Sequence, residues 1–102
     1  MPRTLSVARV RVPAEREPEW LATVARLAGL LEKGGQHLWV FRAEHDPGLW
    51  LEFSESRDRA DHRSVAERTV EELTLEARLR TLASYEPDAS ALWVEVPLPK
   101  ER

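Results

Sequence analysis

Residues 37–56, HLWVFRAEHDPGLWLEFSES, hold two runs rich in aromatic and branched side chains on either side of Asp46-Pro47-Gly48. Strand-forming runs flanking an Asp-Pro-Gly turn read as a β-hairpin, with strands over 37–43 and 49–54. For Trp39 and Phe41 to stand beside Leu51 and Phe53, the connection must carry an odd loop or a bulge near Gly48, because a slip of one residue turns every side chain to the other face.

Upstream of the hairpin, residues 4–12 alternate, with Ala8, Val10 and Val12 on one side and Arg9 and Arg11 on the other. That two-residue period is a half-buried strand. Over 18–33, Trp20, Leu21, Val24, Leu27, Ala28 and Leu31 recur at helical spacing. Pro18 suits the first turn and Gly34-Gly35 a stop. Downstream, 57–63 (RDRADHR) reads as a loop or a charged first turn. A second helix is expected over 64–85, where Val70, Leu73 and Ala77 share a face and Arg68/Glu72 and Glu76/Arg80 lie four apart. The last strand is expected over 92–98, with Leu92, Val94, Val96 and Leu98 alternating with Trp93 and Glu95, before Pro97 and Pro99 end pairing and 99–102 form a polar tail. The order β-α-β-β-α-β predicts an α+β, ferredoxin-like split βαβ fold. It has one antiparallel sheet, spatial strand order 4-1-3-2 along the chain, and both helices on one face.

The chain has 102 residues, the size of a single domain, with 42% hydrophobic and 32% charged residues. It contains no cysteine, which excludes a disulfide framework, a CxxC redox pair, a thiolate nucleophile and Cys-ligated zinc, and suits the cytoplasm. No apolar stretch approaches the roughly 20 residues that cross a bilayer, so neither a signal peptide nor a membrane partner is expected. A net charge of −3 attracts polyanions weakly, and the strands lack the stacking aromatics of RNA-recognition modules; no nucleic acid is expected. The three histidines, His37, His45 and His62, lie 8 and 17 residues apart, which matches no metal-ligand spacing, so no metal is expected. No nucleophile-elbow or phosphate-loop motif occurs either.

Packing the most uniformly apolar set against the helices assigns that side Ala8, Val10, Val12, Trp39, Phe41, Leu51, Phe53, Leu92, Val94 and Val96. The open face then carries Arg9, Arg11, Leu38, Val40, Arg42, Trp50, Glu52, Trp93 and Glu95. There the two arginines would be flanked by Glu52 and Trp50 on one side and by Trp93 and Glu95 on the other, within reach of ion pairing and stacking. Exposed tryptophans gain by burial, so something should cover this face. A second copy, giving a homodimer through the open sheet face, is one cover; a small-molecule pocket lined by Trp and charged residues is another, and the two are compatible.

The element order, the aromatic-rich hairpin, Glu55-Ser56 after it, the polar stretch holding His62 and the apolar final strand resemble the dimeric α+β barrel superfamily, in particular antibiotic-biosynthesis-monooxygenase-like domains. The resemblance spans nearly the whole chain and rests on element order. It departs in that the aromatic before the Glu-Ser pair is Phe53, one place further back than the Trp commonly found there, and in His62 falling about one position off its usual spacing. The chain has no Asn, which disfavours the haem-degrading branch. The resemblance implies a homodimeric barrel binding an apolar or aromatic small molecule and oxidising it with oxygen without a cofactor. Trp50 and Trp93 would shape the pocket, with Glu52 beside them. Arg9 or Arg11 would orient an anionic group, and His62 would accept a proton. The competing expectation is a non-catalytic dimerisation or stress-associated structural domain, in which the same face is only interface.

Overall fold

The computed structural model describes residues 2–62, 68–87 and 91–100. Strand β1 (Thr4–Arg11) leads through a single 3-10 turn (Ala14–Arg16) into α1 (Glu17–Glu32). The hairpin follows as β2 (Gln36–Ala43) and β3 (Asp46–Ser56), then α2 (Val70–Leu82), β4 (Ser84–Tyr85) and β5 (Leu92–Val94). All pairings are antiparallel, in the order β2-β3-β1-β4, with β5 also paired to β1. The α+β architecture and strand order thus follow the split βαβ expectation, with one difference at the outer edge of β1. Two short strands share that edge: β4 meets Val10 and Arg11, while β5 meets Thr4 to Ser6.

That difference begins at the second helix. The start expected at residue 64 lies outside the described residues. α2 opens on a reciprocal cap, in which the Glu72 N–H donates to Thr69 Oγ1 (3.1 Å) and the Thr69 N–H to Glu72 Oε1 (2.9 Å). It ends at Leu82, not at Tyr85; Ala83 is already extended (φ −147°, ψ 162°), and Ser84 and Tyr85 pair with β1. The open edge of β1 offers backbone partners that a longer helix would leave unused. The last strand likewise stops at Val94. Val96 and Leu98, expected within it, are 77% and 87% exposed.

α1 begins with Pro18 in its first turn and is closed by Gly34 and Gly35, whose N–H groups bond Leu31 O and Glu32 O at 3.0 Å. Gly35 has φ +86°, a conformation that Gly adopts without strain. Trp20, Val24, Leu27 and Leu31 form the buried stripe of α1 and pack with Leu75, Leu79 and Leu82 of α2 against the sheet.

Register decides the faces. Trp39 stands opposite Phe53 and Phe41 opposite Leu51, as expected, with a register shift between Arg42 and Ala43 that leaves Pro47, Gly48 and Leu49 extra on β3. The side of the sheet is reversed. Ala8 and Val10 face the helices, and their partners across β1 and β3 are Glu52 and Trp50. Directly opposed residues point the same way. Trp50, Glu52, Leu38, Val40 and Arg42 therefore lie on the helix side, while Trp39, Phe41, Leu51 and Phe53 lie on the open side. Both sets on the hairpin are apolar enough to be core, so composition alone misled. The flanking of the arginines changes with it: Arg9 is opposite Leu51 and Arg11 opposite Leu49.

Candidate functional site

The helix-facing surface of the sheet is apolar toward Val10 and Trp50 and polar at the opposite end, where Thr4, Ser6, Gln36, Ser54 and Ser56 share one face. Thr4, Gln36, Ser54 and Ser56 are buried. The Gln36 side-chain amide donates to Ser54 Oγ at 2.7 Å.

His62 enters this end from the loop after β3. That loop is held by the Asp61 N–H on Asp58 Oδ1 (3.1 Å), the His62 N–H on Arg59 O (3.3 Å) and Arg59 Nη1 on His62 O (3.0 Å). The residue is 3% exposed, with Nδ1 2.8 Å from Ser56 Oγ and Nε2 3.1 Å from Ser6 Oγ. One ring nitrogen donates to a serine and the other accepts, so His62 bridges β1 and β3. Burial, followed by the charges of Arg68 and Arg59, holds its pKa below the ordinary value and favours the neutral imidazole.

Two residues along β3 from Ser54, Glu52 lies between Ala8 and Val40 on the neighbouring strands. The Tyr85 hydroxyl donates to Glu52 Oε2 at 2.6 Å, and Trp20 Nε1 donates to the Tyr85 oxygen at 3.2 Å. The Arg80 guanidinium sits 4.8 Å from the centre of the Tyr85 ring, and Arg68 pairs with Glu76. Burial raises the Glu52 pKa against the pull of the Tyr85 hydrogen bond; Glu76 adds to the rise, and Arg80 and Arg68 oppose it. Burial, then the Glu52 carboxylate, pushes the Tyr85 phenol well up. The ring of Trp20 packs on that of Trp50, with centroids 5.2 Å apart and planes tilted by 58°.

Four buried polar atoms have no hydrogen-bond partner among the described residues: Thr4 Oγ1, Gln36 Oε1, Trp50 Nε1 and Arg68 Nε. The first three belong to the helix-facing surface of the sheet. Thr4 Oγ1 and Gln36 Oε1 lie at the polar end, both opposite Ser56, and Trp50 Nε1 at the apolar end; unpartnered buried groups are few in folded proteins. The expected site residues therefore divide. His62, Trp50 and Glu52 lie on the helix-facing side, His62 and Trp50 at opposite ends of it, whereas Arg9, Arg11 and Trp93 lie on the open side. Arg9 pairs with Glu86 (3.4 Å) and Arg11 with Asp46 (2.8 Å), and Trp93, opposite Leu5, is 58% exposed.

The open side is apolar. Trp39 and Phe41 are 44% and 55% exposed, and with Leu51 and Phe53 they line an open concavity of about 570 Å³. His37 stacks on Trp39 there. Among the described residues, no group of three or more histidines and carboxylates could hold a metal ion, and no helix is long and apolar enough to cross a membrane.

Sequence reading missed Tyr85, Trp20 and the polar row. A signal was present, since Thr4 and Ser6 are in phase with Ala8 and Val10, and Ser54 and Ser56 with Trp50 and Glu52.

No family model matches the chain, and no curated protein matches it in sequence. Solved structures do match. SnoaB, a cofactor-independent oxygenase from Streptomyces nogalater, superposes with a TM-score of 0.73 at 16% identity over 98% of this chain and 97% of that one. Rv0793 from Mycobacterium tuberculosis gives 0.67 at 17% identity over the full length of both chains. An antibiotic biosynthesis monooxygenase gives 0.68 at 16% identity over 97% of this chain and 100% of that one. At such identities the likeness is one of fold.

Proposed function

We propose that this chain, which has the fold of the antibiotic-biosynthesis-monooxygenase-like proteins, binds an aromatic or otherwise apolar small molecule between its sheet and helices and oxidises it with dioxygen. The observation that carries the reading is the buried His62, held between Ser6 and Ser56 on the sheet face that also carries Glu52 and Trp50, with Thr4 Oγ1 and Gln36 Oε1 at the same end unpartnered among the described residues. An apolar ligand with a few polar groups suits such walls. SnoaB, described as a cofactor-independent oxygenase, lends the reaction class. In that class an activated methylene and dioxygen give a ketone and water. The carbon loses a proton, its electron pair reduces dioxygen to a carbon-bound peroxide, and cleavage of the O–O bond with loss of the second hydrogen releases water. His62, held neutral, takes the proton through the Ser6 hydroxyl, because both ring nitrogens are already bonded to serines.

The same reading covers the open face with a second copy of the chain. Trp39, Phe41, Leu51 and Phe53 form the contiguous apolar surface that such an interface needs, with Trp93, Arg9 and Arg11 on the same side. Anthrone, whose activated methylene oxidises to a quinone, tests the proposal. The expected result is uptake of one dioxygen per quinone formed, with binding lost in Trp50→Ala and dimer retained. A dimer that neither binds nor oxidises anthrone, and that carries no added mass in native mass spectrometry, would leave the non-catalytic dimerisation domain as the account.

A further inference from the structure

We propose that Trp50, Trp20 and Tyr85 form a relay that carries an oxidising equivalent out of the protein interior, and that Glu52 takes the proton that Tyr85 releases at its end. Trp50, Val10 and Tyr85 stand in one row across β3, β1 and β4. Val10 is aliphatic, and Trp20 of α1 bridges it. The Trp20 ring lies 5.2 Å from that of Trp50, and its Nε1 donates to the Tyr85 oxygen at 3.2 Å. The Tyr85 hydroxyl in turn donates to Glu52 Oε2 at 2.6 Å. Two buried indoles thus lead to a half-buried phenol on an edge strand, and that phenol already holds a base. The chain has no cysteine and a single tyrosine, so no thiol and no second phenol competes as the end of the relay.

In such a chain, indole and phenol are the side chains that lose an electron most readily. When a one-electron oxidant of the peroxyl-radical class takes an electron from Trp50, the oxidant becomes a peroxide anion and Trp50 a radical cation. Trp20 then gives an electron to Trp50, and Tyr85 gives one to Trp20. As that last electron leaves, the Tyr85 O–H bond breaks, its proton bonds to Glu52 Oε2, and a neutral phenoxyl radical remains. The charges favour this direction. A radical cation on Trp50 lies 5.7 Å from the Arg42 guanidinium, a like charge, whereas the phenoxyl radical carries no charge for Arg80, 4.8 Å from the centre of the ring, to repel. The indole cation and the Glu52 carboxylate also disappear together, and burial favours the loss of both charges. A soluble reductant of the thiol or ascorbate class returns the electron to Tyr85 and Glu52 returns the proton, which restores the starting state. The relay needs no bound ligand, so it stands apart from the oxygenase reading.

Photo-oxidation of the indoles tests the relay. In Trp39→Phe/Trp93→Phe, Trp20 and Trp50 are the two indoles that remain of four. A laser pulse at the red edge of indole absorption, with a cobalt(III) ammine as electron acceptor, oxidises them without exciting the phenol. The broad indolyl band should decay as the narrow phenoxyl band grows, at matching rates, and both changes should slow in deuterium oxide because a proton moves with the electron. Glu52→Gln, which keeps an acceptor for the Tyr85 hydroxyl and takes no proton, should slow phenoxyl growth by about a hundredfold, the lower end of what a positioned base contributes. Trp20→Phe, which leaves Trp50 across Val10 from Tyr85, should lose the fast phenoxyl phase. Indolyl decay without phenoxyl growth in the protein that keeps Trp20, Tyr85 and Glu52 would overturn the proposal. So would phenoxyl growth at an unchanged rate in Glu52→Gln or in Trp20→Phe.

Discussion

Val10 of β1 and Trp50 of β3 stand directly opposite one another, and both point at α1, where the Trp20 ring lies 5.2 Å from that of Trp50. This pairing turns the even-numbered residues of β3 inward. It puts Trp50, Glu52, Ser54 and Ser56 in one row beneath the helices and leaves Leu51 and Phe53 outside. The placement of the proposed interior site and of the apolar open face both follow from it.

Trp50 should be a packing residue whose N–H contributes little to stability, since Nε1 is buried with no partner among the described residues. Trp50→Ala should cost about 3–5 kcal/mol in urea unfolding, the usual penalty for emptying an aromatic core position. Trp50→Phe, which removes the unpartnered donor and keeps a ring, should cost clearly less. Equal losses in the two variants would mean that the indole N–H is hydrogen-bonded in the folded protein.

His62 and Glu52 should act oppositely on the pH dependence of stability. The folded pKa of His62 is depressed, so its contribution is present above the unfolded value of 6.5 and is lost as pH falls from there through the folded value. The folded pKa of Glu52 is raised, so its contribution is present below the unfolded value of 4.5 and is lost as pH rises through the folded one. Glu52→Gln should therefore gain stability relative to wild type at neutral pH and lose that advantage in acid. His62→Gln should flatten the fall in stability below pH 6.5. Chemical denaturation across pH, with both variants, checks both signs.

Charge placed on the open face should break the proposed dimer without unfolding the chain. Trp39→Asp and Phe41→Asp are each expected to weaken dimerisation by at least about thirtyfold, as loss of a hot-spot aromatic worth about 2 kcal/mol or more does. Sedimentation equilibrium should then show monomer, with an unchanged far-ultraviolet spectrum. Dimers that survive both substitutions would place the interface elsewhere on the molecule.

The cap of α2 should be measurable on its own. Thr69→Ala removes the acceptor for the Glu72 N–H and should cost about 1 kcal/mol, a typical N-cap loss. Thr69→Ser should recover most of it. Identical melting temperatures for Thr69→Ala and wild type would show that the reciprocal cap does not form in solution.

Much of the architecture was readable before any coordinates. Helical spacing placed α1 to within a residue at each end, and the element order implied the sheet topology; the hairpin was expected too, although the chain turns at Glu44-His45 and Asp46-Pro47-Gly48 open β3 instead of forming the turn. Even the pairing of Trp39 with Phe53 and Phe41 with Leu51 followed from the sequence. These features are local, or depend on neighbours in the chain, and so leave a periodic trace. The orientation of the hairpin does not. A period of two sorts residues into two faces without saying which face meets the helices, and on β2 and β3 both sets are apolar enough for a core. The choice is made across β1, where Ala8 and Val10 draw Glu52 and Trp50 to their side. The same long-range pairing makes Ser84 and Tyr85 a strand and brings Tyr85 to Glu52 across 33 residues of chain. His62, Trp50 and Glu52 could each be singled out from the sequence. Only the tertiary structure puts them on one side of the sheet and Arg9, Arg11 and Trp93 on the other, because side chains on opposite faces of a sheet cannot meet.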